Sequence, residues 1–514
     1  MPQAIANTTP KTAPSYFFWC RLVAALFSGT LITFSLAPYE IWPLGIVSLI
    51  GLAVLLANQH AKQSFFIALF YGFGLYITGA SWVHVSISNF GQTSSLVALM
   101  MTIGFALGLA CVLAVPFVVY GKYFSRSAYG QILGFAAVWT LGEWSRTWFL
   151  TGFPWLYVGY SHHATWLAGW APIIGVLGIG FICAVTATIS AYILQIKSTL
   201  KNKLACMLAI VFIWLTGWGL TSIEWTTPDK TPVNMVLIQP NIPQEMKWNP
   251  AFSDAIFNTL MAQTKQYKSA DLIIWPEAAI PVLKSEAGYY LQSINAYLNQ
   301  SQTALITGLL EDDIINQKYY NTITGFGGAH GTYAKQRLVP FGEYVPLEEQ
   351  LRGLIGFFNL PMSVMHKGAS HQTLLQTAQH TFATSICYEV VYPSLVAKYA
   401  KDANAIITIS NDAWFGDSIG PIQHFEMARM RALENQKPVI RVANTGISGF
   451  ININGQVIAQ TSQFVSDELV QDITLYSGAT PFSSVKSWPI VLLCLALIAF
   501  LYYRLTYRAQ TEYI

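Results

Sequence analysis

The placement of long apolar runs limits what this chain can become more than any other feature. Seven fall before residue 225, at about 20–37, 41–57, 64–83, 94–120, 130–150, 168–195 and 204–222, and an eighth runs from Trp488 to Tyr503. A helix crossing a bilayer needs roughly 20 mostly apolar residues, because lipid offers its backbone no hydrogen-bond partners. The pattern predicts eight spans, with one long polar insert between the seventh and the eighth. Composition agrees: 53% of the 514 residues are hydrophobic and 10% are charged, against about 25% charged in a soluble domain. Residues 1–16 are polar and too many to be a short signal n-region, so the first run reads as a retained anchor.

Loop charges orient the spans. Lys11 and Arg21, Lys62, Lys122 and Arg126, then Lys197, Lys201 and Lys203, and finally Arg504 and Arg508 fall on alternate connections. The intervening loops 38–40, 84–93 and 151–167 contain no Lys or Arg. By the positive-inside rule both termini are cytoplasmic and the insert lies on the opposite side. The expected domains are 1–225 with seven membrane helices, 226–482 outside, and 483–514 as a last helix and cytoplasmic tail.

The insert has a different grammar. Strand-like runs (Val233–Ile238, Leu272–Trp275, Ala304–Leu309, Phe382–Cys387, Ala405–Ser410, Val439–Ala443) alternate with helical ones (Ala251–Tyr267, Gly288–Asn299, Gln423–Asn435). This predicts a layered α/β domain with its own core. A net charge of +3 without a Lys/Arg block argues against nucleic acid as a partner. The 6 cysteines show no CxxC or Cys/His ligand spacing, so neither a disulfide framework nor a metal site is indicated, and no cofactor is expected.

Three short β runs end in turns that display polar residues: Glu277 in DLIIWPEAAIP, Lys335 and Glu343 in GTYAKQRLVPFGEYVP, and Cys387 in TFATSICYEVVYP, followed by Tyr388 and Glu389. Cys387 is the one cysteine outside the apolar runs. A thiol of ordinary pKa about 8.5 is mostly protonated at neutral pH and needs a base to attack an acyl carbon. A carboxylate can take its proton, and a lysine can hold the resulting oxyanion. Taken singly, each residue also has an ordinary reading: a core cysteine, a turn carboxylate, a solvated lysine, ion-pair partners.

Taken together and in order, WPE, K…VPFGEYVP and CYE resemble the nitrilase superfamily, whose Glu–Lys–Cys triad sits on an αββα sandwich. NDAWFG (Asn411–Gly416) and HFEMARMRALENQKPVIRVANTGISG (His424–Gly449) extend the match. Seven spans before such a domain, one after it, and EWSRTWFLTGFPWLYVGY (Glu143–Tyr160) look like the apolipoprotein N-acyltransferases, a family of the bacterial inner membrane. The resemblance implies a nitrilase-like sandwich inserted between membrane helices, with the catalytic domain in the periplasm. It also implies Cys387 as nucleophile, Glu277 as general base and Lys335 as the oxyanion lysine. Glu343 would be a supporting carboxylate, Tyr388 and Glu389 neighbours needed for activity, and Trp248 a functional tryptophan on a mobile arm.

The implied reaction moves the sn-1 acyl chain of a phospholipid, expected to be phosphatidylethanolamine, through a Cys387 thioester. The acceptor is the α-amine of the S-diacylglyceryl-cysteine of an apolipoprotein. A monomer is expected. The apolar stretch Gly353–Met365 reads as a loop dipping into the outer leaflet, and Glu143 with Arg146 as either a charge-cancelling pair or part of a lipid vestibule. Two other classes remain: a membrane-tethered amidase, which needs no more than one anchoring span, and a transporter or receptor, which needs no reactive thiol.

Overall fold

The computed structural model describes residues 15–91, 93–194, 199–340, 342–344 and 364–511. Of the stretch Gly353–Met365, only Val364 and Met365 belong to the described residues, so its reading as a membrane-dipping loop lies outside them.

Among the described residues, five helices alone are long and apolar enough to cross a bilayer: Tyr16–Ser35, Ser95–Phe124, Trp166–Leu194, Leu200–Leu220 and Trp488–Thr506. A sixth span results if Ala61–Gly79 and Val83–Phe90, bent by 56° at their junction, count as one. Pro43–Leu56 is apolar but has 14 residues, and Phe135–Ser145 continues a π-turn at Gly130–Gly134.

Two connections differ from the sequence reading. Residues 84–93 hold most of the helix Val83–Phe90 rather than a loop. Residues 151–167, expected as an external loop, fold back into the protein: Trp155, Tyr157 and Tyr160 are buried, in and around short 3₁₀ turns. Their aromatic rings bury too much apolar area to stay in water. Their backbone polar groups are met by buried charged side chains. Glu143 accepts from the Val158 amide at 3.1 Å, and Arg146 donates to the Trp155 carbonyl at 2.6 Å. Glu143 and Arg146 lie 4.0 Å apart, with Arg146 over the rings of Tyr76 and Tyr157.

The membrane helices pack through small residues. A Cβ on Gly29 would lie 2.0 Å from the Tyr71 carbonyl oxygen, and one on Gly74 would lie 2.1 Å from that of Leu26. Helices Ser15–Ser35 and Ala61–Gly79 therefore touch backbone to backbone, as membrane helices do where glycine permits it.

The insert builds two larger sheets. The first runs, in spatial order, 467–473, 233–239, 272–274, 304–313, 318–327 and 332–334, with Ile280–Leu283 also paired to Ala304–Asp313. The second runs 457–460, 449–451, 439–443, 405–410, 381–386 and 375–376. Strand alternation decides the packing. In Val233–Gln239, Met235 and Leu237 join a core shared with the second sheet. Val236 and Ile238 instead meet Ile256 and Leu260 of Ser253–Thr264, and Ile294 and Leu298 of Gly288–Ser301. Helices Pro393–Ala400 and Gly420–Asn435 lie against the second sheet, and the latter also packs on Ala171–Leu194. Entry and exit of the insert are tied by the antiparallel pair Thr226–Pro228 and Tyr476–Gly478.

Gly74→Leu is expected to destabilise the detergent-solubilised protein by about 1–3 kcal/mol, the usual cost of overpacking, seen as a lower thermal midpoint. Gly104→Leu, where an added Cβ meets nothing within 4 Å, should leave the midpoint unchanged.

Candidate active site

Parallel strands expose their carboxyl ends on one side of a sheet, where ligands of open α/β folds bind. Leu272–Ile274 is parallel to both its neighbours, and Pro276, which has no amide proton, helps end it just before Glu277. In the second sheet, Thr381–Ile386 and Ala405–Ser410 are parallel and deliver Cys387 and Asn411 at the same end. Lys335 follows strand Thr332–Ala334, and its amide donates to the Asn321 carbonyl at 2.8 Å.

These elements bring Glu277, Lys335, Glu343 and Cys387 together. The Lys335 ammonium lies 2.8 Å from Glu343 Oε1 and 3.7 Å from Glu277 Oε1, with 1% of its side chain exposed. Asn321 Nδ2 donates to both carboxylates, at 2.7 Å to Glu277 and 3.1 Å to Glu343. The other Glu277 oxygen accepts from the Asn411 amide at 2.8 Å, and that of Glu343 from the Val339 amide at 2.8 Å. Burial opposes the lysine charge, but Glu343 and Glu277 outweigh it, and the ammonium is held well above the ordinary lysine range.

Cys387 sits at φ +51°, where residues with a side chain are uncommon, at the start of the turn Cys387–Val391. Burial, reinforced by Glu277, pushes its thiol up to about 12. The resting site therefore holds a neutral thiol. Moving the thiol proton onto Glu277 leaves the net charge of the cluster unchanged. A base within the cluster can thus activate sulfur without adding buried charge.

Glu389 is buried and locks the turn to the lysine strand. Its Oε1 accepts from Tyr333 Oη and from the amides of Gln336 and Arg337, and its Oε2 from the Ile386 amide. Tyr388 and Tyr392 reach the membrane half, donating to the carbonyls of Gly152 and Thr151 at 3.0 Å. Trp248 is half-buried, packed against Ala278, Leu310, Leu338 and Met365.

Glu277, Asn321, Lys335, Glu343, Cys387, Tyr388, Asn411 and Trp248 border one cavity of about 1330 Å³. Its far end is walled by Phe105, Leu109, Val112, Phe149 and Leu150 of the membrane half. The cluster is polar and preorganised, and the remaining lining is mostly apolar, with Ser86, Ser145 and Arg146 among it.

Several residues of this arrangement were not singled out from sequence. Asn321 and Asn411 orient the carboxylates; Asn321 carries no distinctive local pattern, and Asn411 opens the NDAWFG motif, which by itself assigns it no role. Lys247, buried, donates to the Glu277 carbonyl at 2.8 Å. Burial lowers its amine to about 8, against the pull of Glu277. Gly308 leaves room for Glu277: a Cβ there would sit 2.7 Å from the Glu277 Cα and 2.5 Å from the Ala278 amide.

A half-buried cysteine and a carboxylate at the ends of parallel strands, with a lysine from a neighbouring antiparallel strand, fit the carbon–nitrogen hydrolase type of enzyme, and the family model described as "Carbon-nitrogen hydrolase" matches residues 238–480. The model described as "Apolipoprotein N-acyltransferase N-terminal domain" matches residues 28–189. Apolipoprotein N-acyltransferases of Pseudomonas putida and Pseudomonas syringae pv. tomato are 39% and 40% identical over 484 residues, covering 93% of this chain and 96% of theirs. That of Photobacterium profundum is 37% identical over 495 residues, covering 93% of this chain and 94% of its own. The chain belongs to the apolipoprotein N-acyltransferase family, and it is a membrane-embedded acyltransferase with a nitrilase-like domain.

Gly308→Ala should lower turnover about 100-fold, the scale of a small misplacement of a reacting group, while the thermal midpoint of the purified protein shifts little. Measuring both on one preparation separates displacement of Glu277 from unfolding.

Proposed function

We propose that the chain is a phospholipid:apolipoprotein N-acyltransferase working through a thioester on Cys387. One observation carries the reading: a Glu–Lys–Cys cluster bordering a cavity whose remaining lining is largely apolar and comes in good part from the membrane half. Glu277 takes the thiol proton as sulfur attacks the sn-1 ester carbonyl, and Lys335 stabilises the oxyanion. The ester C–O bond then breaks, and the lysophospholipid oxygen leaves with the proton from Glu277. In the second half the acceptor α-amine attacks the thioester, Glu277 removes its proton, and the C–S bond breaks to return the thiol. One carboxylate serves both halves. Glu343 and Asn321 hold the lysine and Glu277 in register, Glu389 fixes the nucleophile turn, and Tyr388 and Trp248 line the route. A small amide would need no apolar chamber of this size, which weighs against a tethered amidase.

The finer reading follows the charges. The chain is proposed to cross the bacterial inner membrane eight times as a monomer, with the short Pro43–Leu56 and the 130–145 segment among the spans. Its termini are cytoplasmic, and residues 226–482 form a periplasmic αββα sandwich. Parity in Val233–Gln239, helices on one side and the second sheet on the other, supports that layering. Lipid substrates account for the fusion, since withdrawing an acyl chain from the bilayer costs about 0.8 kcal/mol per CH₂. Phosphatidylethanolamine is the proposed donor.

Wild-type protein given phospholipid alone should accumulate one hydroxylamine-sensitive acyl chain, discharged by a diacylglyceryl-cysteine peptide. Cys387→Ala should form no adduct, and Glu277→Gln should slow both formation and discharge. Label persisting on Cys387→Ala would place the chemistry elsewhere. For orientation, Asn89→Cys and Asn299→Cys should react with an impermeant thiol reagent in cells with a permeabilised outer membrane, and Arg126→Cys should not; the reverse pattern overturns the proposed topology.

A further inference from the structure

Behind the nucleophile, away from the substrate cavity, lies a second group of buried charges that the reaction above does not use. Asp412, His424 and Arg441 each have fully buried side chains. Arg441 Nη2 lies 2.7 Å from Asp412 Oδ2 and 3.0 Å from His424 Nδ1. Ser410 donates to Asp412 Oδ1 at 2.6 Å. The other imidazole nitrogen, Nε2, is 3.1 Å from the carbonyl oxygen of Cys387 itself.

These contacts define where the imidazole proton sits. A carbonyl only accepts, so Nε2 must carry a hydrogen for that contact to be a bond. Nδ1 lies between Arg441, which only donates, and Asp412 Oδ1 at 3.2 Å, which only accepts. Burial and the Arg441 charge disfavour the imidazolium and Asp412 favours it; in either state it is the Nε2 hydrogen that meets the Cys387 carbonyl. Asp412 compensates Arg441, and the two hold the Nδ1 edge of the imidazole. The result is a single donor aimed at the backbone of the one residue whose side chain does the chemistry. Cys387 needs such a restraint, because a φ of +51° is strained for a residue with a side chain and persists only where the surroundings impose it.

The imidazole is itself braced by the membrane half. The Trp155 indole stacks on the His424 ring at 5.5 Å and 28°, and on the Tyr388 ring at 6.4 Å and 16°. Its Nε1 donates to Gln423 Oε1 at 2.7 Å, and its carbonyl is the one held by Arg146. The ring of Tyr388, next to Cys387 in the chain, and that of His424, at its carbonyl, therefore rest on one indole supplied by the folded-back 151–167 segment.

We propose that His424 is the positioning residue of the nucleophile. Its Nε2–H holds the Cys387 carbonyl, so that the strained turn presents sulfur to Glu277, and Trp155 from the membrane half keeps the imidazole in place. This rests on Cys387 being the nucleophile of the proposed reaction. A positioning role and a merely structural one differ in what they change. Loss of the donor should slow acyl-enzyme formation without weakening lipid binding, and a different side chain with an N–H at the same reach should restore it.

The test uses the full-length protein in detergent, with labelled phosphatidylethanolamine as donor and a diacylated peptide as acceptor. His424→Leu is expected to lower kcat and the rate of Cys387 acylation by at least tenfold, with KM for the phospholipid within about twofold of wild type. His424→Gln, whose amide can donate from the Nε2 position, is expected to keep kcat above a tenth of wild type. A smaller loss in His424→Leu, a loss carried in KM, or a His424→Gln kcat below a tenth would overturn the proposal. If His424→Leu does not accumulate as folded protein, the same one-tenth threshold applied to His424→Gln decides alone. Cys387→Ala run in parallel keeps the two readings apart: turnover by that variant sinks the thioester reaction, whereas an inactive Cys387→Ala beside a fully active His424→Leu sinks only the positioning role.

Discussion

The catalytic half is organised around one ammonium group that cannot leave. Removing an isolated lysine charge from water is very costly, and only close, well-oriented anions offset it. Lys335 is buried with two such partners, Glu277 and Glu343, which come from different connections. Their remaining oxygens are fixed by amides of Asn411 and Val339, so the second sheet and the 336–343 connection are drawn in as well. The site is thus assembled by the same electrostatic requirement that lets it act. The carboxylates, the ammonium and the thiol are brought together before any substrate arrives, and in the proposed reaction such preorganisation is where most of the electrostatic advantage would come from.

Much of this was legible in the residues. The runs Ala405–Ser410 and Val439–Ala443 form strands with the bounds read from sequence, and Val233–Ile238 is extended by a single residue, because short β-branched stretches ended by Asn, Gln or Pro leave little room for another structure. Asp467–Ile473 was not legible: an edge strand with several half-exposed polar residues lacks the apolar alternation that marks a buried one. In the site, Glu277, Lys335 and Cys387 stood out because each ends a β run. Asn321 and Gly308 did not, since an amide bridging two carboxylates, or a missing Cβ, becomes meaningful only once distant strands are adjacent.

The membrane half shows where periodicity misleads. A hydropathy reading treats 151–167 as a loop because it breaks the apolar runs and carries no positive charge. The structure uses the segment as interior, rich in aromatic rings and secured by the Glu143–Arg146 pair. That pair was read as either charge cancellation or vestibule wall. It does the first, and through the Trp155 carbonyl it also fixes the backbone beside the chamber, which Arg146 borders. The chamber is therefore not a gap between an anchor and an enzyme. Its walls come from both halves.

The long helix Ala171–Leu194 is interrupted at Gly175, whose φ is +65°, and the amide of Val176 that would open its second part donates to Glu434 Oε1 at 2.8 Å. Glu434 ends the helix Gly420–Asn435 of the catalytic domain, some 258 positions later in the chain. Chains are made from the N-terminus and domains fold in that order. During synthesis, the early helices thus enter the bilayer with one helix terminus still lacking the carboxylate that completes it. The catalytic domain, made afterwards, brings that cap when it docks. Biogenesis accordingly has a built-in sequence, in which the soluble domain finishes a membrane helix laid down long before it.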